Sequence, residues 1–177
     1  GQWLDSTMLY SSGLYDHPDS TLEEAQAHKL ERILSLLDCP ADAEVLEIGC
    51  GWGALAAALG EAAPAGRITG LTLSTEQLEH ARSRVVAAGL QERVDLRLED
   101  YRDVDGQFDR IVSIEMLEAV GERYWPAYFD TLRQRLKAGG TAVVQVITIA
   151  EDRFEQYRQH PDFIQRFIFP GGMLPTA

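Results

Sequence analysis

Cysteine is scarce. Cys39 and Cys50 are the only two in 177 residues, and no apolar leader precedes them, so a disulfide framework is excluded and free thiols in a reducing, cytoplasmic compartment are expected. Basic residues are also few, 16 Lys and Arg against 28 Asp and Glu, for a net charge of -12. Counterion-release binding to nucleic acid and simple adhesion to an anionic membrane both need a basic footprint, and neither finds one here. Long apolar runs are missing as well. Stretches such as 55–59 and 142–149 fall far below the roughly 20 residues of a membrane span, so no transmembrane segment is expected. Peripheral membrane contact, and an apolar slot holding one lipid chain, stay open. His17, His28, His80 and His160 show no ligand spacing and the cysteines lie in different elements, so no metal site is expected. There is no repeat, low-complexity tract or linker.

What is present suits one globular domain, with a hydrophobic fraction of 45%. The chain opens at Gly1 without Met and stops just after an apolar, Pro- and Gly-rich stretch, from which both ends are expected to be cut. Leu22, Ala25, Leu30, Ile33, Leu34 and Leu37 follow a helical stripe, with Thr21 and Glu24 spaced as a capping box. This helix should end before Pro40. Runs over 45–48, 67–73, 94–98 and 111–114 are short and apolar enough for buried strands. Between the second and third, Ser74 can cap a helix whose N3 residue is Gln77, and Gly89 suits its left-handed end. Trp125, Tyr128, Phe129, Leu132 and Leu136 share one face of a later helix and read as core, with Gly139 and Gly140 stopping it before a strand over 141–149. Such alternation predicts an α/β fold of parallel strands joined by right-handed crossovers, with ligands at the strands' carboxyl ends.

Glu47-Ile48-Gly49-Cys50-Gly51-Trp52-Gly53 joins the first strand to a helix, where glycines allow a tight turn and close approach of a ligand to the main chain. The G-x-G-x-G spacing is one residue shorter than the dinucleotide fingerprint, and Leu71-Thr72-Leu73-Ser74 leaves no acid at the end of the second strand, so NAD is disfavoured. Glu47 would repel a pyrophosphate but suits a cationic end such as the methionine ammonium of S-adenosylmethionine (SAM). Asp100, after the third strand, suits an adenine amino group, whereas Asp103 and Asp105 read as solvated turn residues. Tyr10 and Trp52 can close on a cofactor or simply pack. Gln145 interrupts an apolar strand, where an amide is costly unless hydrogen-bonded. Glu118 is either a functional acid or a solvated carboxylate favoured by a helix start.

Taken together, Tyr10-Ser11-Ser12-Gly13, Leu22-Glu23-Glu24-Ala25-Gln26, the glycine loop, Gly70-Leu71-Thr72-Leu73-Ser74 with Gln77, Asp100-Tyr101-Arg102-Asp103, 108–113, Glu118, and 168–172 with Leu174-Pro175 resemble the cyclopropane-fatty-acid synthase family of SAM-dependent methyltransferases, which includes the mycolic acid cyclopropane synthases. The resemblance implies a Rossmann-like class I methyltransferase fold with strand order 3-2-1-4-5, lacking the family's last two strands and lid. Residues 1–20 would cover the cofactor, 21–150 form the core and 151–177 begin the substrate lid. It implies C-methylation of the double bond of an unsaturated fatty acyl lipid, through a carbocation, to a cyclopropane or a methyl or methylene branch. Tyr10, Ser11, Gly49, Gly51, Thr72, Leu73, Gln77, Asp100 and Tyr101 become SAM-contacting candidates, joined by Glu47, Trp52 and Gly53 of the loop. Ser12, Glu118, Gln145 and Ile147 become candidates for a pocket holding bicarbonate as the base. Many members have Cys where Ser12 stands, His where Gln145 stands and a second His where Ala119 stands.

An alkene is a weak nucleophile, so holding it in line with the sulfonium methyl carries much of the catalysis, up to roughly 7–11 kcal/mol, and water must be excluded from the cation. Glu118 can orient the base or stabilise the cation through a low-dielectric site. Its side chain is expected to converge with that of Gln145 on one small anion or water, with Ser12 closing over it. Two alternatives are a methyltransferase for a small amine or other metabolite, since the cofactor half is generic, and a SAM-binding module without turnover, suggested by Ser12, Gln145 and Ala119. Apolar surface left facing absent segments would favour a homo-oligomer.

Overall fold

The computed structural model describes residues 3–176, so Gly1 and Ala177, on which the expectation of cut ends partly rests, lie outside the described residues. Helix α1 (Leu22–Leu37) starts at the capping box: Glu24 N–H donates to the Thr21 hydroxyl and Thr21 N–H donates to the Glu24 carboxylate. It ends at Asp38 in the left-handed region, where Arg110 donates to the free carbonyls of Leu37 and Asp38. Ala25, Ile33 and Leu37 are its buried stripe. Strands β1 (Glu44–Ile48), β2 (Arg67–Thr72), β3 (Val94–Leu98), β4 (Phe108–Ile114) and β5 (Leu136–Gln145) alternate with α2 (Ala54–Ala62), α3 (Thr75–Ala87), the short α4 (Leu117–Val120) and α5 (Trp125–Arg135), and α6 (Glu151–Gln159) follows.

All four strand pairings are parallel and the order is β3-β2-β1-β4-β5, the predicted one. Past their first residues β1 and β2 are buried on both faces, as central strands under two helix layers must be. On one face Val45, Ile68, Leu96 and Val112 pack with Ile33, Leu37, Leu59, Leu78 and Val85 of α1–α3. On the other, Leu46, Ile48, Leu71 and Ile111 pack with Tyr128 and Leu132 of α5. Full burial of a Leu or Ile contributes roughly 1.5–3 kcal/mol. The strand period of two then has a chemical consequence: Glu47, between Leu46 and Ile48, is turned to the α1 face and buried there.

Three expectations are corrected. Gly139 and Gly140 do not end a helix; α5 stops at Arg135 and β5 runs through both glycines. Gly139 takes φ +78, a Cβ on Gly140 would meet Asp109 O at 2.9 Å, and the β4–β5 register slips between Phe108 and Arg110, so the pair forms an irregularity that only glycine accommodates. The strand correspondingly ends at Gln145 rather than at residue 149. Phe129 is not core but half-exposed, because the buried stripe of α5 passes through Tyr128 and Leu132.

Candidate functional site

The carboxyl ends of β1, β2 and β3 open into a cavity of about 420 Å³ lined by Gly49, Gly51, Thr72, Leu73, Gln77, Glu99 and Tyr101, with Tyr10 over its mouth. Gly49, Gly51 and Gly53 take φ values of +85, +50 and +82, which a residue with a Cβ adopts only under strain. Ser74 caps α3 by accepting from Gln77 N–H, and the Thr72 hydroxyl donates to Gln77 Oε1 at 2.9 Å, so the amide of Gln77 is aimed along the cavity. Its Nε2 donates to Tyr10 Oη at 3.4 Å. The amino-terminal segment is held down by α1: Gln26 Nε2 donates to Ser11 O, and Lys29 Nζ donates to Ser11 Oγ at 2.7 Å. That is why a Gln and a Lys are tolerated on the buried face of this helix.

Under this segment a smaller cleft is lined by Glu47, Trp52, Ser11 and Lys29. Glu47 Oε2 is buried with no hydrogen-bond partner, and burial pushes its carboxyl up to about 8. A carboxylate so placed needs either a proton or a cation. Trp52 packs edge-on against His80, with ring centroids 5.3 Å apart. Burial pushes the Cys50 thiol up to about 12, which leaves it without a thiolate's reactivity.

A second cavity, of about 330 Å³, adjoins the first and shares Tyr10, Met116, Ala119 and Phe169 with it. Its walls are chiefly apolar, from Ile147, Ile164, Phe169 and Leu174, and two carboxylates, Glu115 and Glu118, project from the end of β4 and from α4. Glu115 is a non-glycine residue at φ +51. Its Oε1 accepts from Ser12 N–H at 2.8 Å and from Gln145 Nε2 at 2.9 Å. Glu118 Oε1 accepts from Ile147 N–H, while its Oε2 is buried without a partner. The arrangement supplies a chiefly apolar chamber with two carboxylates at one end, suited to stabilising a cation or receiving a proton.

The structure therefore brings together most of the candidate residues, but not as predicted in four respects. Gln145 meets Glu115, not a group shared with Glu118. Ser12 reaches this cluster through its backbone N–H. The Asp100 carboxylate is turned onto Arg102, with contacts of 2.6 and 2.9 Å that hold it below the usual carboxylate range, and the acid lining the cavity is its neighbour Glu99. Gly53 does not line either cavity; a Cβ there would meet Ala81 Cβ at 2.7 Å, so it serves the packing of α2 on α3. Sequence reasoning missed Lys29, Glu99 and Glu115. For Glu115 a signal existed, an acid directly after a buried strand on the side where α/β folds bind ligands.

The family model described as mycolic acid cyclopropane synthetase matches residues 1–177. Tuberculostearic acid methyltransferase UfaA1 of Mycobacterium tuberculosis (strain ATCC 25618 / H37Rv) is 45% identical over 182 residues, covering 99% of this chain and 42% of that protein. Cyclopropane-fatty-acyl-phospholipid synthase of Escherichia coli (strain K12) is 36% identical over 174 residues, covering 98% of this chain and 43% of that one. The crystal structure of mycolic acid cyclopropane synthase CmaA1 complexed with SAH and CTAB superposes with a TM-score of 0.86 at 30% identity, over 98% of this chain and 64% of the synthase. The chain thus spans less than half the length of these two sequence relatives.

Proposed function

The chain belongs to the mycolic acid cyclopropane synthetase family, and on that premise we propose that the protein carrying it transfers a methyl group from SAM to a double-bond carbon of an unsaturated lipid chain. The observation that carries this reading is the pair of adjoining cavities, one sharing Tyr10, Gly49 and Gly51 with the small cleft where the buried Glu47 carboxylate lacks a partner, and the other apolar with two carboxylates at its end. Glu47 would accept the methionine ammonium, and Thr72, Gln77, Glu99 and Tyr101 would flank the adenosine, with the Gly49–Gly51 turn leaving room for the ligand. SAM supplies an electrophilic methyl sulfonium. Tyr10, held by Ser11 through Gln26 and Lys29, closes the donor site from water. Met116, Ala119 and Phe169, common to both cavities, form the seam where donor and acyl chain would meet. Glu118 faces the chain's reacting carbons and stabilises positive charge there.

No helix among the described residues is long and apolar enough to cross a membrane. The exposed side chains of Phe163, Phe167 and Ile168 offer an apolar face for peripheral contact with a lipid surface or a second copy of the chain, and we place the protein in the cytoplasm. Incubating the full-length protein with methyl-deuterated SAM and either a cis-unsaturated phospholipid or a soluble amine tests the proposal. Label in the acyl chain supports it, label in the amine overturns it in favour of a small-molecule methyltransferase, and bound SAM with label in neither would mark a module without turnover.

A further inference from the structure

Three donors of the residues that the family resemblance assigns to a bicarbonate ion are already engaged. Ser12 N–H and Gln145 Nε2 both donate to Glu115 Oε1, and Ile147 N–H donates to Glu118 Oε1. An added anion would have to displace these bonds and then sit between two carboxylates lining the same cavity. The residues present do not fit bicarbonate. Glu115 occupies the place instead, and at a conformational cost: its backbone holds φ +51, a strained value for a residue with a Cβ that persists only where the surroundings impose it. Its amide is fixed by a 2.8 Å bond to Gln145 O that extends the β4–β5 ladder past the end of β4. Both hydrogen bonds, from Ser12 N–H and Gln145 Nε2, fall on Oε1, so among the described residues Oε2 keeps its lone pairs free.

We propose that Glu115 is the base of the reaction, replacing an external bicarbonate, an inference that rests on the lipid C-methyltransferase reading above. The alkene π pair forms the new bond to the methyl carbon, the carbon–sulfur pair returns to sulfur, and the neighbouring chain carbon is left cationic. The Glu115 carboxylate then takes one proton. If it comes from the new methyl group, the freed C–H pair closes a cyclopropane; if from a chain carbon beside the cation, the pair forms an alkene bearing a methyl branch. Glu115 ends as the neutral acid and returns its proton to solvent after product release. Gln145 and Ser12 orient the carboxylate through Oε1, which keeps Oε2 available for the proton.

The test uses the full-length protein in carbonate-free buffer, with Glu115→Gln and Glu115→Gly. Wild-type turnover on a cis-unsaturated phospholipid should be unchanged by added bicarbonate, and calorimetry should detect no bicarbonate binding to it. Glu115→Gln, which keeps an oxygen for Ser12 and Gln145 but cannot accept the proton, should lose at least about 100-fold in turnover with SAM affinity held within about twofold, the retained affinity reporting an intact fold. Glu115→Gly clears the space and relieves the strained backbone, so bicarbonate should now bind and restore turnover at least about tenfold. Wild-type dependence on bicarbonate, bicarbonate binding to the wild type, or near wild-type turnover of Glu115→Gln would each overturn the assignment. Failure of the lipid reading looks different: the wild type would bind SAM yet methylate no unsaturated lipid at all, with or without bicarbonate.

Discussion

With the ammonium of SAM on Glu47, as proposed, ligand binding should release a proton. Glu47 is fully buried, its Oε2 has no partner, and burial raises its carboxyl from 4.5 to about 8. At pH 6.5 it is therefore mostly protonated in the empty site. An ammonium brought against it lowers that value by roughly one to three pH units, so up to one proton should leave for each SAM bound. Linkage then requires the affinity to rise up to about tenfold, or ~1.4 kcal/mol, per pH unit between about pH 5.5 and 7. The ligand's own amine, titrating near 7.7–8.0 as an ordinary α-amino group, stays cationic throughout that window. Calorimetry at pH 6.5 in two buffers of different ionisation enthalpy reads the proton count directly. In Glu47→Gln the release should vanish, the affinity should become flat with pH, and binding should weaken by roughly 1.5–3 kcal/mol. Wild-type binding with no buffer dependence and no pH dependence would refute the placement of the ammonium. The empty protein has the same titration in its stability. Because the folded value lies above the unfolded one, the contribution is fully present below pH 4.5 and is lost as pH rises through about 8, so its melting temperature should fall across that window and that of Glu47→Gln should fall less.

Gly51→Val should abolish SAM binding, since φ is +50 there and a Cβ already meets Tyr10 Cε1 at 3.4 Å before the two methyl groups are added; unchanged affinity of the folded variant in calorimetry would contradict the loop assignment. Glu118→Gln in the full-length protein should lower turnover by roughly 100- to 1,000-fold while SAM affinity changes little; weakened SAM affinity with normal turnover at saturation would instead make Glu118 a ligand of the donor. Thr21→Ala removes the reciprocal cap of α1 and should cost about 1 kcal/mol in urea unfolding without altering the chemistry of the cavities.

The elements were legible where local chemistry decides them. The Thr21–Glu24 box, the Ser74 cap and the apolar runs of β1 to β4 all formed where periodicity and capping place them, and their alternation led to the observed strand order. Error entered where glycine has two uses. Gly139 and Gly140 read as a helix stop, yet the same conformational freedom serves an irregularity inside β5, and only pairing with β4 distinguishes the two. The lining of the first cavity was largely legible for a related reason: its residues cluster within short segments at strand ends. The Glu115 cluster was not, because it joins Ser12, Glu115 and Gln145 across sequence separations of 103 and 30 residues. Its defining feature, a positive φ at Glu115, is imposed by tertiary contacts. Asp100 and Glu99 illustrate the limit at one-residue resolution, since a turn's local pairing with Arg102 decides which of two adjacent acids faces the cavity.

The most direct measurement is a crystal structure of the protein with S-adenosylhomocysteine, the demethylated product of SAM. The account predicts its amino group on Glu47, its adenosine beside Thr72, Gln77 and Glu99, and its sulfur at the Met116–Ala119 seam facing Glu115 and Glu118. A ligand bound elsewhere, or one whose sulfur faces solvent away from the two carboxylates, would contradict it.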